Sequence, residues 1–386
     1  MDIIISDILD KGTKYMICKH FGTCGSCGLY DIDYSEQLIA KRDRVASLLS
    51  PFYNKDIEVF DSPQSHYRAR AEFRIWHDGD ICSYAMGNIE KRGAINITEC
   101  PKVIKSIESR MWILLERINQ SKDILKKRLF GVEFLSTTTD ETLITLLYHR
   151  KLDDIWSSEA KPLEAELNCK IIGRSRKQKV ILSDDFVTQK LYIDGREFIY
   201  RQHDGGFTQP NPVVNIKMIE WAITQAKRVG YGDFLESYCG LGNFTIPLSR
   251  YFTKVLATEV SKRSIQSAIE NCTLNDITNI SFIRLSSEEM SEALNKSREF
   301  NRLKNIDLDS YNFSTVLVDP PRAGLDIDSI ELISTIENII YISCNPESLA
   351  RDLQILTKTH RVVDTAIYDQ FPHTSHIEAG VFLSRI

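Results

Sequence analysis

Cys344 stands between two opposite patterns, the β-branched run Asn338-Ile339-Ile340-Tyr341-Ile342-Ser343 and the helix opener Asn345-Pro346-Glu347. The run reads as a fully buried strand of a parallel sheet. Asn345 suits an N-cap, Pro346 the first helical position, and Glu347 the positive end of the helix. A thiol here lies at the carboxyl end of a strand, where open α/β sheets bind their ligands. It also lies beside a helix N-terminus, which lowers a thiol pKa and enlarges its thiolate fraction. One reading is therefore a nucleophile; the other is a buried structural cysteine, since free Cys is among the most buried residue types.

Two further stretches carry chemistry. In Glu236-Ser237-Tyr238-Cys239-Gly240-Leu241-Gly242-Asn243-Phe244, paired glycines let the backbone turn tightly and approach a ligand. Glu259 ends the next strand, where a carboxylate accepts both hydroxyls of a ribose. The spacing is G-x-G-N-F, not the dinucleotide fingerprint, and nothing in it cradles a pyrophosphate. S-adenosyl-L-methionine is thus expected rather than NAD. Val318-Asp319-Pro320-Pro321-Arg322 ends a later strand. An aromatic residue after the two prolines would suit stacking on a base whose amine is methylated, but Arg322 stands there. A cysteine after the proline would suit cytosine chemistry, and none is present.

That leaves thiol chemistry on a pyrimidine. Carbon 5 of uracil is a poor nucleophile, and a thiolate added to carbon 6 makes it a good one by splitting one hard step into two. A base must later remove the carbon-5 proton. Asp369, His373, His376 and Glu378 compete for that role, with Glu378 opening the final strand.

The elements that must position these groups follow a simple plan. Residues 1–61 form a Cys-rich segment and a helix over Ser35–Leu49, with apolar positions Leu38, Ile39, Val45, Leu48 and Leu49. Residues 62–203 read as an α+β domain of short strands. In it the alternation from Arg68 to Trp76 puts Arg68, Arg70, Glu72, Arg74 and Trp76 on one face. Residues 204–386 alternate β and α, with strands at Asp233–Glu236, Lys254–Thr258, Ile280–Leu285, Ser314–Val318 and Asn338–Ser343. The last two, Val362–Tyr368 and Glu378–Leu383, are joined too closely for a crossover helix and must pair antiparallel. A mostly parallel sheet ending in such a hairpin is the class I, Rossmann-like methyltransferase variant of the doubly wound α/β fold.

Composition bounds the rest. The 386 residues hold 42% hydrophobic and 26% charged positions, ordinary for a globular chain, and a net charge of -5 gives no global basic footprint. No apolar run approaches a membrane span, and no signal-peptide pattern opens the chain. Nine cysteines, three of them clustered, point to a reducing, cytoplasmic setting and to metal or catalysis rather than disulfides. No obligate protein partner is implied.

With these motifs in view, the chain resembles the uracil-5 RNA methyltransferase family, and within it the branch that modifies tRNA. Ser65 to Gly79, Leu147 to Asp154 and Arg298 to Leu303 carry that likeness beyond the catalytic motifs, over nearly the whole chain after residue 35. The resemblance implies Cys344 as nucleophile and Glu378 as proton acceptor. It implies cofactor contacts at Gln209, Tyr238, Asn243, Glu259 and Asp319, with Arg322 stabilising the enolate oxygen or orienting the uracil. The implied substrate is the T-loop uridine of the tRNA T-arm, converted to ribothymidine, with tmRNA as a second target. The alternatives are uracil-5 methylation of 23S rRNA and, from another class, a non-catalytic tRNA-folding chaperone. Cys18, Cys24, Cys27 and Cys100 resemble the four-iron four-sulfur site of rRNA-directed relatives; zinc and no metal are the other readings. Arg68, Arg70 and Arg74 are candidate phosphate contacts, and Phe73 or Phe130 a candidate stacking platform for bases.

Overall fold

The computed structural model describes residues 16–386; residues 1–15, the start of the expected N-terminal segment, lie outside the described residues. The first part of the chain builds α1 (Tyr34–Leu49), β1 (Glu58–Phe60), β2 (Arg70–Asp78), β3 (Ile81–Gly87), β4 (Ala94–Asn96) and α2 (Lys105–Gln120). It continues through β5 (Leu129–Ser136), β6 (Thr142–Tyr148), α3 (Asp154–Glu166), β7 (Lys170–Ser175), β8 (Gln178–Ile181) and the hairpin β9 (Phe186–Ile193) and β10 (Arg196–His203). Strands β2 to β8 form one sheet in the order β4-β3-β2-β5-β6-β7-β8. Its covered face packs Phe73, Ile75, Tyr84, Phe134, Ile144 and Leu146 against Met111 and Leu114 of α2 and Trp156 of α3. Along β2 the alternation holds: Ala71, Phe73 and Ile75 are buried, while Glu72, Arg74 and Trp76 face out.

The second part builds α4 (Pro212–Val229), β11 (Asp233–Ser237), α5 (Thr245–Leu248), β12 (Val255–Thr258), α6 (Lys262–Leu274), β13 (Ile280–Ile283) and α7 (Ser287–Leu294). After these come β14 (Phe313–Val318), α8 (Ile327–Ile333), β15 (Asn338–Ser343), α9 (Pro346–Leu356), β16 (His360–Tyr368) and β17 (Glu378–Arg385). The sheet order is β1-β16-β17-β15-β14-β11-β12-β13. Strand β17 lies antiparallel between β15 and β16, so the expected hairpin closes the doubly wound sheet. Its central strands are apolar on both faces because both faces are covered. Leu235, Val316, Ile339 and Tyr341 meet one set of helices, including Leu349 and Leu353 of α9. Phe234, Leu317, Ile340 and Ile342 meet Met218 and Trp221 of α4 on the other side. Helix α4 starts cleanly because the Asn211 side chain accepts from the Val214 amide, and it ends at Gly230 in the left-handed conformation.

Three placements differ from the sequence plan. Strand β1 adds in parallel to β16, and α1 packs beside α9, so residues 34–60 join the C-terminal sheet. The inward stripe of α1 is polar over its first half, with Tyr34, Gln37 and Lys41 buried and Ile39 exposed. Hairpin β9–β10 also packs into the C-terminal half, through Leu191, Phe198 and Tyr200. No helix among the described residues is long and apolar enough to cross a membrane.

Candidate active site

Sheet register brings the expected residues to one edge. Ser237 pairs with Thr258 and with Val318, so Tyr238, Glu259 and Asp319 leave three adjacent strands at the same level. Ser343 pairs with Ala379 in the antiparallel ladder, so Cys344 and Glu378 are the next residues along, side by side. The turn after β11 is strained toward this edge: Tyr238, Gly240 and Gly242 all have positive φ. A Cβ on Gly240 would meet nothing within 4 Å, whereas one on Gly242 would lie 3.0 Å from Ile246 Cδ1. Gly242 is favoured by its positive φ, with Ile246 close against it, and Gly240 leaves its backbone open to a ligand.

A cavity over this turn is lined by Gln209, Glu236, Tyr238, Asn243 and Asp319, with the exposed ring of Phe207 at its lip. Asn243 is held by Asn215 through two reciprocal amide hydrogen bonds of 2.9 Å. Glu259 does not line the cavity; its carboxylate accepts from the Gly240 and Ser261 amides. Glu236, singled out in the sequence only as the start of the glycine turn, is buried inside it. Its Oε2 has no hydrogen-bond partner, and burial holds its carboxyl well above the usual range. An acidic residue directly ahead of a glycine turn was the available signal. Burial also lifts Asp319 to about 7.

Electrostatics at the thiol run opposite to the expectation from the helix terminus. Burial, then the Glu378 and Asp319 carboxylates, push Cys344 up to about 11, against a smaller lowering by Arg322. The Asn345 side chain makes no cap; its amide donates to the Arg322 carbonyl at 2.9 Å, tying the two loops together. Burial and Asp319 hold Glu378 well above the carboxylate range, with Arg322 again opposing. The Arg322 guanidinium donates to the His376 ring at 3.1 Å. The other competitors for the base role are engaged elsewhere. Asp369 is ion-paired with Lys41 at 2.6 Å, and His373 lies between Gln37 and the Gln64 carbonyl.

Cys18, Cys24, Cys27 and Cys100 line one small cavity with His20, Glu99 and Lys102. Among the described residues, however, no group of three or more His, Cys, Asp or Glu is arranged to hold a metal ion. The expected four-thiolate site is therefore a shared cavity and not a coordination shell. Of the remaining cysteines, which the sequence leaves without partner spacing as core or near-core residues, Cys82, Cys239 and Cys272 are buried and Cys169 is partly buried.

The RNA-contact expectations divide. Phe73 is 1% exposed in the first core and offers no stacking face. Arg68 is turned inward, its Nε donating to the Arg70 carbonyl and its guanidinium over Phe371. Arg70 donates to the Gly206 carbonyl, and Arg74 remains exposed. Phe130, by contrast, is 38% exposed and stacks on His149 with ring centroids 4.0 Å apart. The groove beside this pair is lined by Arg150, Lys151, Arg174, Arg176 and Lys177.

Comparison with known proteins bears on this edge. A family model described as tRNA (Uracil-5-)-methyltransferase matches residues 33–386. A tRNA/tmRNA (uracil-C(5))-methyltransferase of Sulfurovum sp. is 70% identical, over 96% of this chain and 100% of the relative. A protein of the same description from Nitratiruptor sp. is 51% identical over the same shares. Among solved structures, Pyrococcus abyssi tRNA (uracil-54, C5)-methyltransferase in complex with S-adenosyl-L-homocysteine superposes with a TM-score of 0.71. At 23% identity, over 93% of this chain and 85% of the other, it supports the shared fold.

Proposed function

The chain belongs to the tRNA (uracil-5-)-methyltransferase family, and we infer that it methylates carbon 5 of a T-arm uridine in tRNA through a transient bond from Cys344. The observation that carries this reading is the side-by-side exit of Cys344 and Glu378 from adjacent strands, above Asp319 of the ligand cavity.

S-adenosyl-L-methionine, when bound, supplies an electrophilic methyl group on a sulfonium. The cavity suits it: Gln209, Tyr238, Asn243 and Asp319 offer polar contacts, Glu259 stands at the adjoining strand end, and Gly240 allows backbone approach. The unpartnered Glu236 carboxyl fits the α-ammonium of such a ligand, since a buried polar atom without a partner is costly.

The chain's own residues then account for the chemistry at the base. After its thiol proton has passed to solvent, the Cys344 sulfur adds to carbon 6, and the electron pair of the double bond moves toward oxygen 4, where Arg322 offsets the developing charge. Carbon 5 becomes nucleophilic and takes the methyl group. Glu378 removes the carbon-5 proton; the C–H electron pair restores the double bond as the carbon–sulfur bond breaks and its pair returns to sulfur. Raised basicity suits Glu378 for that proton.

The target base must leave its stack to reach Cys344, at a cost of a few kcal/mol. The sheet of β2 to β8 with α2 and α3 is the RNA-binding part of this reading, supported by the Phe130–His149 pair and its basic groove. The names of the relatives favour tRNA and tmRNA over 23S rRNA. No step runs through a metal, and the cluster on Cys18, Cys24, Cys27 and Cys100 has no role in the reading.

Incubation with unmodified tRNA transcripts and labelled cofactor tests it. Label in T-loop ribothymidine is expected. Label in 23S rRNA fragments alone would favour the rRNA reading, and no methyl transfer to any RNA would favour the chaperone.

A further inference from the structure

The loop between β16 and β17 ends at Glu378, and it is gripped from one face of the N-terminal helix. Gln37, Lys41 and Arg44 recur on α1 at helical spacing and all reach that loop. Gln37 accepts from the His373 amide at 3.0 Å. The Lys41 ammonium lies 2.6 Å from Asp369 and donates to the Phe371 carbonyl at 3.2 Å, with both side chains of the ion pair at 5% exposure or less. Arg44 donates to the Ser375 carbonyl at 3.3 Å. Further contacts come from outside the helix, among them Tyr67 donating to the Pro372 carbonyl, Leu29 to the His373 carbonyl, the Asp369 amide to the Phe60 carbonyl, and the His373 ring against the Gln64 carbonyl.

A buried ion pair of this kind is a poor source of stability. Desolvation of both charges roughly cancels their attraction, and apolar residues of similar volume do as well or better. Removing one partner, however, leaves an uncompensated charge, so the pair specifies one arrangement of the segments it joins. Here those segments are α1 and the stretch that delivers Glu378.

We propose that Lys41 is a positioning residue for Glu378, acting through Asp369 and the loop over residues 369–377. The inference rests on the reading of Glu378 as acceptor of the carbon-5 proton. Addition of sulfur and methyl transfer need Cys344 and the ligand cavity, neither of which Lys41 touches. The last step needs a carboxylate at the carbon-5 proton. There the C–H bond breaks, the proton passes to Glu378, the double bond re-forms and sulfur leaves carbon 6. Displacement of the loop at its Asp369 end therefore slows release first, and addition is reached only through the Arg322–His376 contact at the other end of the loop.

The test uses full-length Lys41→Met, Asp369→Asn and Glu378→Gln, each with unmodified tRNA transcript and methyl-labelled cofactor. Melting temperatures are recorded alongside. For Lys41→Met we expect turnover to fall about ten- to a hundredfold, as a displacement near 1 Å commonly costs, with KM for the cofactor within about twofold. A methyl-labelled protein–RNA complex that survives denaturing gels should accumulate, as it should for Glu378→Gln. Asp369→Asn keeps the side-chain size and should give the same pattern if Lys41→Met does not fold. Wild-type turnover in both loop variants, or slow turnover without the complex while Glu378→Gln accumulates it, overturns the role of Lys41 alone. Absence of the complex in Glu378→Gln as well overturns the reading of Glu378, and the inference with it.

Discussion

Cys344 and Glu378 face each other one step beyond the paired residues Ser343 and Ala379, and the carboxylate raises the pKa of the thiol. Negative charge on Glu378 opposes formation of the thiolate, beside the larger effect of burial. Glu378→Gln removes that opposition, so the thiol pKa should fall. Alkylation of Cys344 by iodoacetamide across pH reads this directly. A profile unchanged in Glu378→Gln would mean the two groups do not interact.

Burial of Glu378 also links folding to pH. Its folded pKa lies above the value near 4.3 of an unfolded glutamate, so the favourable contribution is complete below that value and is lost as pH rises through the folded pKa. Glu378→Gln cannot titrate. The melting temperature of the variant should therefore gain on wild type steadily as pH increases from about 5. A difference that stays flat with pH would contradict the burial argument.

Glu236→Gln should weaken cofactor binding by about tenfold or more, the cost of losing a charge-assisted hydrogen bond in a buried site. Isothermal titration with S-adenosyl-L-homocysteine, which keeps the α-ammonium, measures it. Unchanged affinity would remove Glu236 from the ligand's contacts.

Phe130→Ala should raise KM for tRNA by about tenfold, the worth of one base stacked on an aromatic ring, while cofactor affinity stays as it was. Equal loss of both would point to a damaged fold rather than a lost platform.

The parts legible in the sequence were those set by local pattern. The strand over Asn338–Ser343 has the expected bounds, and the alternation along β2 buries Ala71, Phe73 and Ile75 as the period requires. What stayed hidden depends on neighbours distant in sequence. The helix terminus beside Cys344 argued for a lowered thiol pKa, but Glu378 and Asp319, delivered by other strands, act with burial to reverse it. Phe73 and Arg68 lost their expected roles because alternation tells which residues share a face, and not what covers it. The four cysteines do share a cavity, yet spacing alone does not set the distances of a ligand shell. Lys41 and Gln37 broke the apolar pattern expected of α1 because their partners, Asp369 and His373, lie near the other end of the chain.

The central claim is a covalent bond between the Cys344 sulfur and a pyrimidine ring. Its most direct measurement uses tRNA carrying 5-fluorouridine at the target position, because fluorine at carbon 5 leaves Glu378 no proton to remove. With cofactor present, wild-type protein should form a complex resistant to denaturing electrophoresis whose peptide map places the RNA on Cys344. A complex retained by Cys344→Ala, or none formed by wild type that methylates ordinary tRNA, would contradict it.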